Sequence, residues 1–170
     1  MPPRYAIRKY RDATNRVDFA PIIRYAEVVL NQAEAEARND NDARGLLLLN
    51  AIRNRTVTTT DRFAVGSLMR MAFIQAILNE RRVELMDEGF RWDDIHRLSS
   101  SSSSPRPSGG IPAKFLSSQV ATAQYNCASG ITANPSVPTI TFTNTLFLWP
   151  IRTIEVANSA TLARQQNPGY

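Results

Sequence analysis

A chain of 170 residues with 43% hydrophobic content can build about one domain with a real core, and no window offers the roughly 18 consecutive apolar residues that would span a bilayer. Its single cysteine, Cys127, excludes an intrachain disulfide and a cysteine-based zinc site, and reads as a small half-buried apolar residue. The net charge of +5 is no nucleic-acid footprint, because phosphate binding needs clustered cations, whereas the helical arginines alternate with Glu27, Glu34, Glu36, Glu80, Glu84 and Glu88. The one cationic concentration is Arg4, Arg8, Lys9, Arg11 and Arg16.

The opening Met-Pro-Pro-Arg-Tyr is no signal peptide, so the chain as given carries no export signal. A first long helix is predicted to begin near Pro21, which suits a first turn because its missing N–H is unpaired there anyway, with Asp18 as the cap. Ile22, Ile23, Ala26, Val29, Leu30, Ala33 and Ala37 form one stripe, and its alanines let another helix approach closely. Asn39-Asp40-Asn41-Asp42 is a turn with ready caps for a second helix over about Ala43 to Arg55, whose core face is Leu46 to Leu49 with Ile52. The two make an antiparallel helical hairpin, beside which a long helix from about Ser67 to Glu88 packs, ending on Gly89.

That third helix holds a conflict. Projected at 100° per residue, Ile77, Ile74, Leu85, Leu78 and Met71 fill an arc from about 60° to 180°, and Arg81, at about 100°, sits in the middle of it. Glu84 and Glu88 lie along the same side and can neutralise the guanidinium. Ala72, Ala76, Val83, Met86 and Phe90 form a second apolar arc, so the helix is expected to be sandwiched between neighbours. A short helix or turn from Trp92 to Leu98 then folds back.

The divisions expected are a helical part over 1–98, a mobile Ser/Pro/Gly loop over 99–112, and an irregular C-terminal part over 113–170 packed on the helices. Asn126 to Asn134 reads as a turn leading into an edge strand. Val137 to Trp149 alternates threonines with Ile140, Phe142 and Leu146, the period of a strand with one buried face, bracketed by Pro138 and Pro150. The fold class is therefore mainly α, with helical hairpins and a loop-rich C-terminal part holding a short strand or hairpin.

Three blocks now resemble a known family, the SusD/RagB glycan-binding lipoproteins of the outer membrane. The run from Pro21 to Ala35 is similar to the family's "RYAEVLL-x-AEA", and Leu49 to Arg55 to its "LN-x-VR-x-R". Glu80, Arg81, Arg82, Glu84, Leu85, Glu88, Gly89, Arg91, Trp92, Asp94 and Arg97 match "ERR-x-EL-x-x-EG-x-RW-x-D-x-x-R". Leu148-Trp149-Pro150-Ile151 and Gln166-Asn167-Pro168-Gly169-Tyr170 resemble the closing "L-x-PIP … QNPGY", Arg152 standing where the second proline is usual. The resemblance implies tetratricopeptide-like hairpins and the C-terminal portion of a surface lipoprotein. It further implies capture of a glycan or other nutrient polymer, no cofactor, a TonB-dependent, SusC-like transporter as partner, and a lipid anchor absent from this chain.

Within that frame Arg81, Glu84, Glu88 and Arg91 are expected to form a buried ionic network that fixes helix register. Glycoside cleavage needs two carboxylates facing each other across a sugar. Glu80, Glu84 and Glu88, four apart on one helix, point one way, and Asp93 and Asp94 have arginines beside them, so no catalytic residue is assigned. His96, with Asp93 three residues earlier, is half a metal site at most, and a hydrogen-bonded structural histidine is the simpler reading. Trp92 is read as core, and packing beside Pro150 is the simpler reading of Trp149 too; Trp149 and Tyr125 are the candidates for ligand binding, each offering an apolar face with a polar edge on which a sugar ring can stack. The alternatives are a stand-alone helical-repeat protein-interaction module without sugar binding, and a glycan-active enzyme.

Overall fold

In the computed structural model of the chain, residues 9–10, 12, 14–15, 17–58, 62–99, 110–116, 125–126, 130–131 and 134–169 are described, the backbone alone at 125–126 and 130–131. The chain divides into two compact units, Tyr5–Pro105 and Met1–Arg4 with Arg106–Tyr170.

In the first unit, helix α1 (Tyr25–Arg38) buries Ala26, Val29, Leu30, Ala33 and Ala37, a single stripe at intervals of three and four. It starts later than Pro21. Arg24, in an extended conformation (φ −139°, ψ 157°), takes the cap position, and Asp18 instead accepts the Asp12 N–H at 2.6 Å. Ile22 and Ile23 thus precede the helix and lie 87% and 74% exposed, off the stripe their spacing predicts. A turn with Asp40 in the left-handed region leads into α2 (Asp42–Arg53), which buries Gly45, Leu46, Leu49 and Ile52 and turns Leu47 outward. The helices cross closely at Gly45, where a Cβ would lie 3.1 Å from the Ala33 carbonyl oxygen and 3.2 Å from the Phe73 ring.

Helix α3 (Arg70–Glu84) buries Phe73, Ile74, Ile77, Leu78 and Arg81 against α1 and α2. It stops four residues short of Glu88, with Leu85 as a buried cap. Asp87 (φ 63°) and Gly89 (φ 90°) are both left-handed, so Gly89 serves the entry to α4 (Phe90–Ser99), not the end of α3. The expected sandwich is not formed among the described residues: Ala72, Val83 and Met86 are exposed, while Ala76 and Phe90 are half-buried. Helix α4 is a full ten residues, burying Asp94, Ile95, Leu98 and Ser99, and Leu98 joins the core of α1, α2 and α3.

The second unit has little regular structure. Strand β1 (Gly110–Ile111) pairs antiparallel with β4 (Ile140–Thr141), Gly110 opposite Thr141, and a Lys114–Val137 bridge extends the pairing. Strands β2 (Tyr125–Asn126) and β3 (Gly130–Ile131) form a separate hairpin. Of the strand expected over Val137 to Trp149 only Ile140–Thr141 pairs as strand, because Asn144 redirects the chain. Its side chain accepts the Leu146 N–H at 2.9 Å and caps a 3-10 turn over Thr145–Phe147, a local bond that competes with a ladder. Two short helices follow, α5 (Thr153–Asn158) and α6 (Ala160–Ala163), the second capped by Ser159. The chain is mainly α with a loop-rich C-terminal part.

Candidate functional site

The charged side chains of the first unit fall into two clusters. In one, the Arg81 Nε donates to both oxygens of Asp94 at 3.0 and 2.8 Å, and its Nη1 donates to Asn31 Oδ1. Arg97 donates to Asp94 at 2.9 Å and, through both terminal nitrogens, to Glu34 at 2.9 and 2.8 Å; Arg38 completes the row by donating to Glu34 at 2.9 and 2.7 Å. Burial pushes the Glu34 carboxyl up, but hydrogen bonds from Arg97 and Arg38 outweigh it and hold the group below the usual carboxylate range. The bonds to Glu34 likewise raise the Arg97 guanidinium.

The second cluster centres on Arg24. Its Nε donates to both oxygens of Glu88 at 3.0 and 2.7 Å and its Nη1 to Glu84 at 2.5 Å, while Arg55 pairs with Glu84 at 2.6 Å. Lys9 pairs with Glu88 and donates to the backbone oxygens of Glu84 and Met86 at 3.1 and 2.9 Å. Burial again acts to raise Glu84 and Glu88, and the cations again prevail, holding both low.

The residues expected as one network are thus divided. Arg81 takes Asp94 of α4 as its carboxylate, and Glu84 and Glu88 take Arg24; the Arg81 guanidinium also lies 5.7 Å from the Phe90 ring. Arg91 makes no ion pair among the described residues. Burial and the neighbouring Arg82 charge push its guanidinium below the ordinary value, with Asp94 opposing. Glu80 pairs with Arg53, whose guanidinium sits 4.8 Å from the Phe63 ring. His96 stacks at a tilt on Trp92, ring centres 4.5 Å apart, and no group of three or more His, Cys, Asp or Glu among the described residues could hold a metal ion.

In the second unit, Trp149 is 68% exposed. Its backbone is tied to the end of the chain: the Asn167 Nδ2 donates to the Trp149 carbonyl, and the Gln166 side chain both accepts from Ile151 N at 2.8 Å and donates to Ile151 O at 3.0 Å. The other candidate, Tyr125, lies in β2, but its side chain is outside the described residues, as are Cys127, Tyr170, Arg4, Arg8, Arg11, Arg16 and positions 100–109 of the expected mobile loop.

A sequence model of the SusD family matches residues 4–170. The chain belongs to the SusD family. Membership supports a glycan-binding role in general, in a group of binding proteins rather than enzymes that is associated with the outer-membrane surface. Comparisons with curated proteins and with solved structures gave no match.

In this SusD-family chain the polar letters of the motifs are one another's partners. Arg24, Asn31 and Glu34 of the first motif meet Glu84, Glu88, Arg81 and Arg97 of the charged one, and Arg53 and Arg55 between them take Glu80 and Glu84. Composition gave no route to these pairings. The signal that could have found them is the motifs themselves, since arginines of one can face carboxylates of another.

Proposed function

We propose that this chain serves a cell-surface nutrient-binding protein that captures a glycan or related polymer at the outer membrane. The captured polymer passes to a TonB-dependent, SusC-like transporter, and a lipid anchor provides attachment. The family match across residues 4–170 carries the reading. Binding requires no bond to be broken, and the ionic clusters suit a scaffold, because each carboxylate in them is already engaged by a cation.

Trp149 is the residue we assign to the ligand, with Tyr125 as the second candidate. Affinity electrophoresis against amylopectin, arabinoxylan, pectin and chondroitin sulfate tests this on the full chain. Retardation by at least one polymer is expected, with Trp149→Ala weakening it about tenfold, as loss of one stacked aromatic face should. Retardation by none would overturn the glycan reading and favour a helical-repeat interaction module, for which the exposed Met69, Val83 and Met86 offer apolar surface. Copurification of a transporter from native membranes tests the partner.

A further inference from the structure

Leu148 is extended (φ −92°, ψ 151°), Arg152 has φ −56° and ψ 136°, and among the described residues no strand pairs with the segment they bound. Backbone groups in such a segment need partners, and Pro150 has no N–H to offer. The chain's end supplies side-chain amides where a strand would supply a ladder. Gln166 satisfies both backbone groups of Ile151, and its Oε1 also accepts the Asn167 N–H at 3.0 Å, which fixes the amide's own orientation. Asn167 then reaches the Trp149 carbonyl. A primary amide carries donors and an acceptor on one planar group, so neither a carboxylate nor a hydrocarbon of the same length can do both tasks.

Gly169 explains how the tail comes so close. Its φ of 96° is left-handed, and a Cβ there would lie 2.7 Å from the Thr145 Oγ1, so the tail presses on the 3-10 turn only because position 169 has no side chain. The bonds on the Trp149 carbonyl and on Ile151 bracket Pro150, whose ring is itself rigid. The Trp149 backbone is therefore fixed while the residue as a whole remains 68% exposed.

We propose that Gln166 and Asn167 are positioning residues: their amides hold the Trp149 segment so that the indole stands as a preformed platform for a sugar ring of the captured polymer. The ligand class rests on the nutrient-capture reading above. A platform already immobilised loses less conformational freedom on stacking than a ring on a loose loop, and that difference appears as affinity.

The test is made on the full chain in a Trp92→Phe background, so that emission reports Trp149 alone, and its first readout needs no ligand. Gln166→Leu removes both bonds to Ile151, whereas Gln166→Glu keeps the acceptor and loses the donor. The fast component of the Trp149 anisotropy decay is expected to grow from wild type through Glu to Leu, with far-UV circular dichroism and the thermal midpoint of the helical part unchanged. Affinity for the polymer that retards the wild type is expected to fall about three- to tenfold in the Leu variant, the worth of one side chain that must be ordered on binding. If Gln166→Leu fails to fold, the Glu variant and Asn167→Ala give the same readouts. Unchanged anisotropy decay in these variants would overturn the proposal. A looser ring with unchanged affinity would also overturn it and would leave nutrient capture standing. A wild type that no polymer retards would remove that reading and the platform with it.

Discussion

Replacing Asp94 by alanine is expected to lower the unfolding free energy by about 3–5 kcal/mol, the range for stripping a buried charge of its partner. The Arg81 and Asp94 side chains are only 6% and 8% exposed, and both Asp94 oxygens are engaged by the Arg81 Nε. Arginine cannot shed its proton to escape, so without Asp94 the guanidinium would be left, among the described residues, with Asn31 and the Phe90 ring, within a helix stripe built of Phe73, Ile74, Ile77 and Leu78. Urea unfolding reads the loss as a lower midpoint at unchanged slope. The combined variant Arg81→Leu, Asp94→Leu should recover most of it, because paired removal leaves no orphan charge. A loss below about 1 kcal/mol in Asp94→Ala would mean that Arg81 reaches water, contrary to the burial argument.

Acid is expected to undo the helical part in a defined window. Glu34, Glu84 and Glu88 are each held below their ordinary value of 4.5, because arginine and lysine partners outweigh the upward push of burial. A carboxyl depressed in the folded state binds fewer protons there than in the unfolded chain, so its contribution is fully present above the unfolded value and is lost as pH falls through the folded one. Stability to urea should therefore be level with respect to these groups at neutral pH, begin to fall near pH 4.5 and continue falling below it. Arg24→Met should flatten the part of that fall due to Glu84 and Glu88, and leave the Glu34 part intact because Arg97 and Arg38 still face it. An acid limb of the same steepness in Arg24→Met would show that Arg24 does not hold those two carboxyls down.

Arg81 was visible as a buried cation from the sequence because an angular projection needs only the helix it lies on. Its partner was not, since Glu84 and Glu88 are nearest along the chain and the helix was expected to carry both. The helix ends at Glu84, and the left-handed Asp87 and Gly89 turn the chain so that α4 brings Asp94 to the guanidinium. The α1–α2 hairpin was legible for the same local reason, with its ends shifted by a few residues. In the second unit the threonine alternation suggested a long strand, and one asparagine side chain redirected it. Helices α5 and α6, six and four residues long, are too short to display a period. The two amides tied to the Trp149 segment lie 15 and 18 residues away from their acceptors and left no local signal.

The pairings of the ionic clusters have a consequence for the order in which the chain assembles. Helices α1 and α2 are joined by a three-residue link at 39–41, so their contacts close a small loop. Arg24 and Glu88 are 64 residues apart, Glu34 and Arg97 63, Arg24 and Glu84 60, and Asn31 and Arg81 50. Contacts so distant in sequence cost the most chain entropy to close and come after the local hairpin. Bonds made after the rate-limiting step act as latches: weakening one leaves the refolding rate almost untouched and shortens the lifetime of the folded state instead.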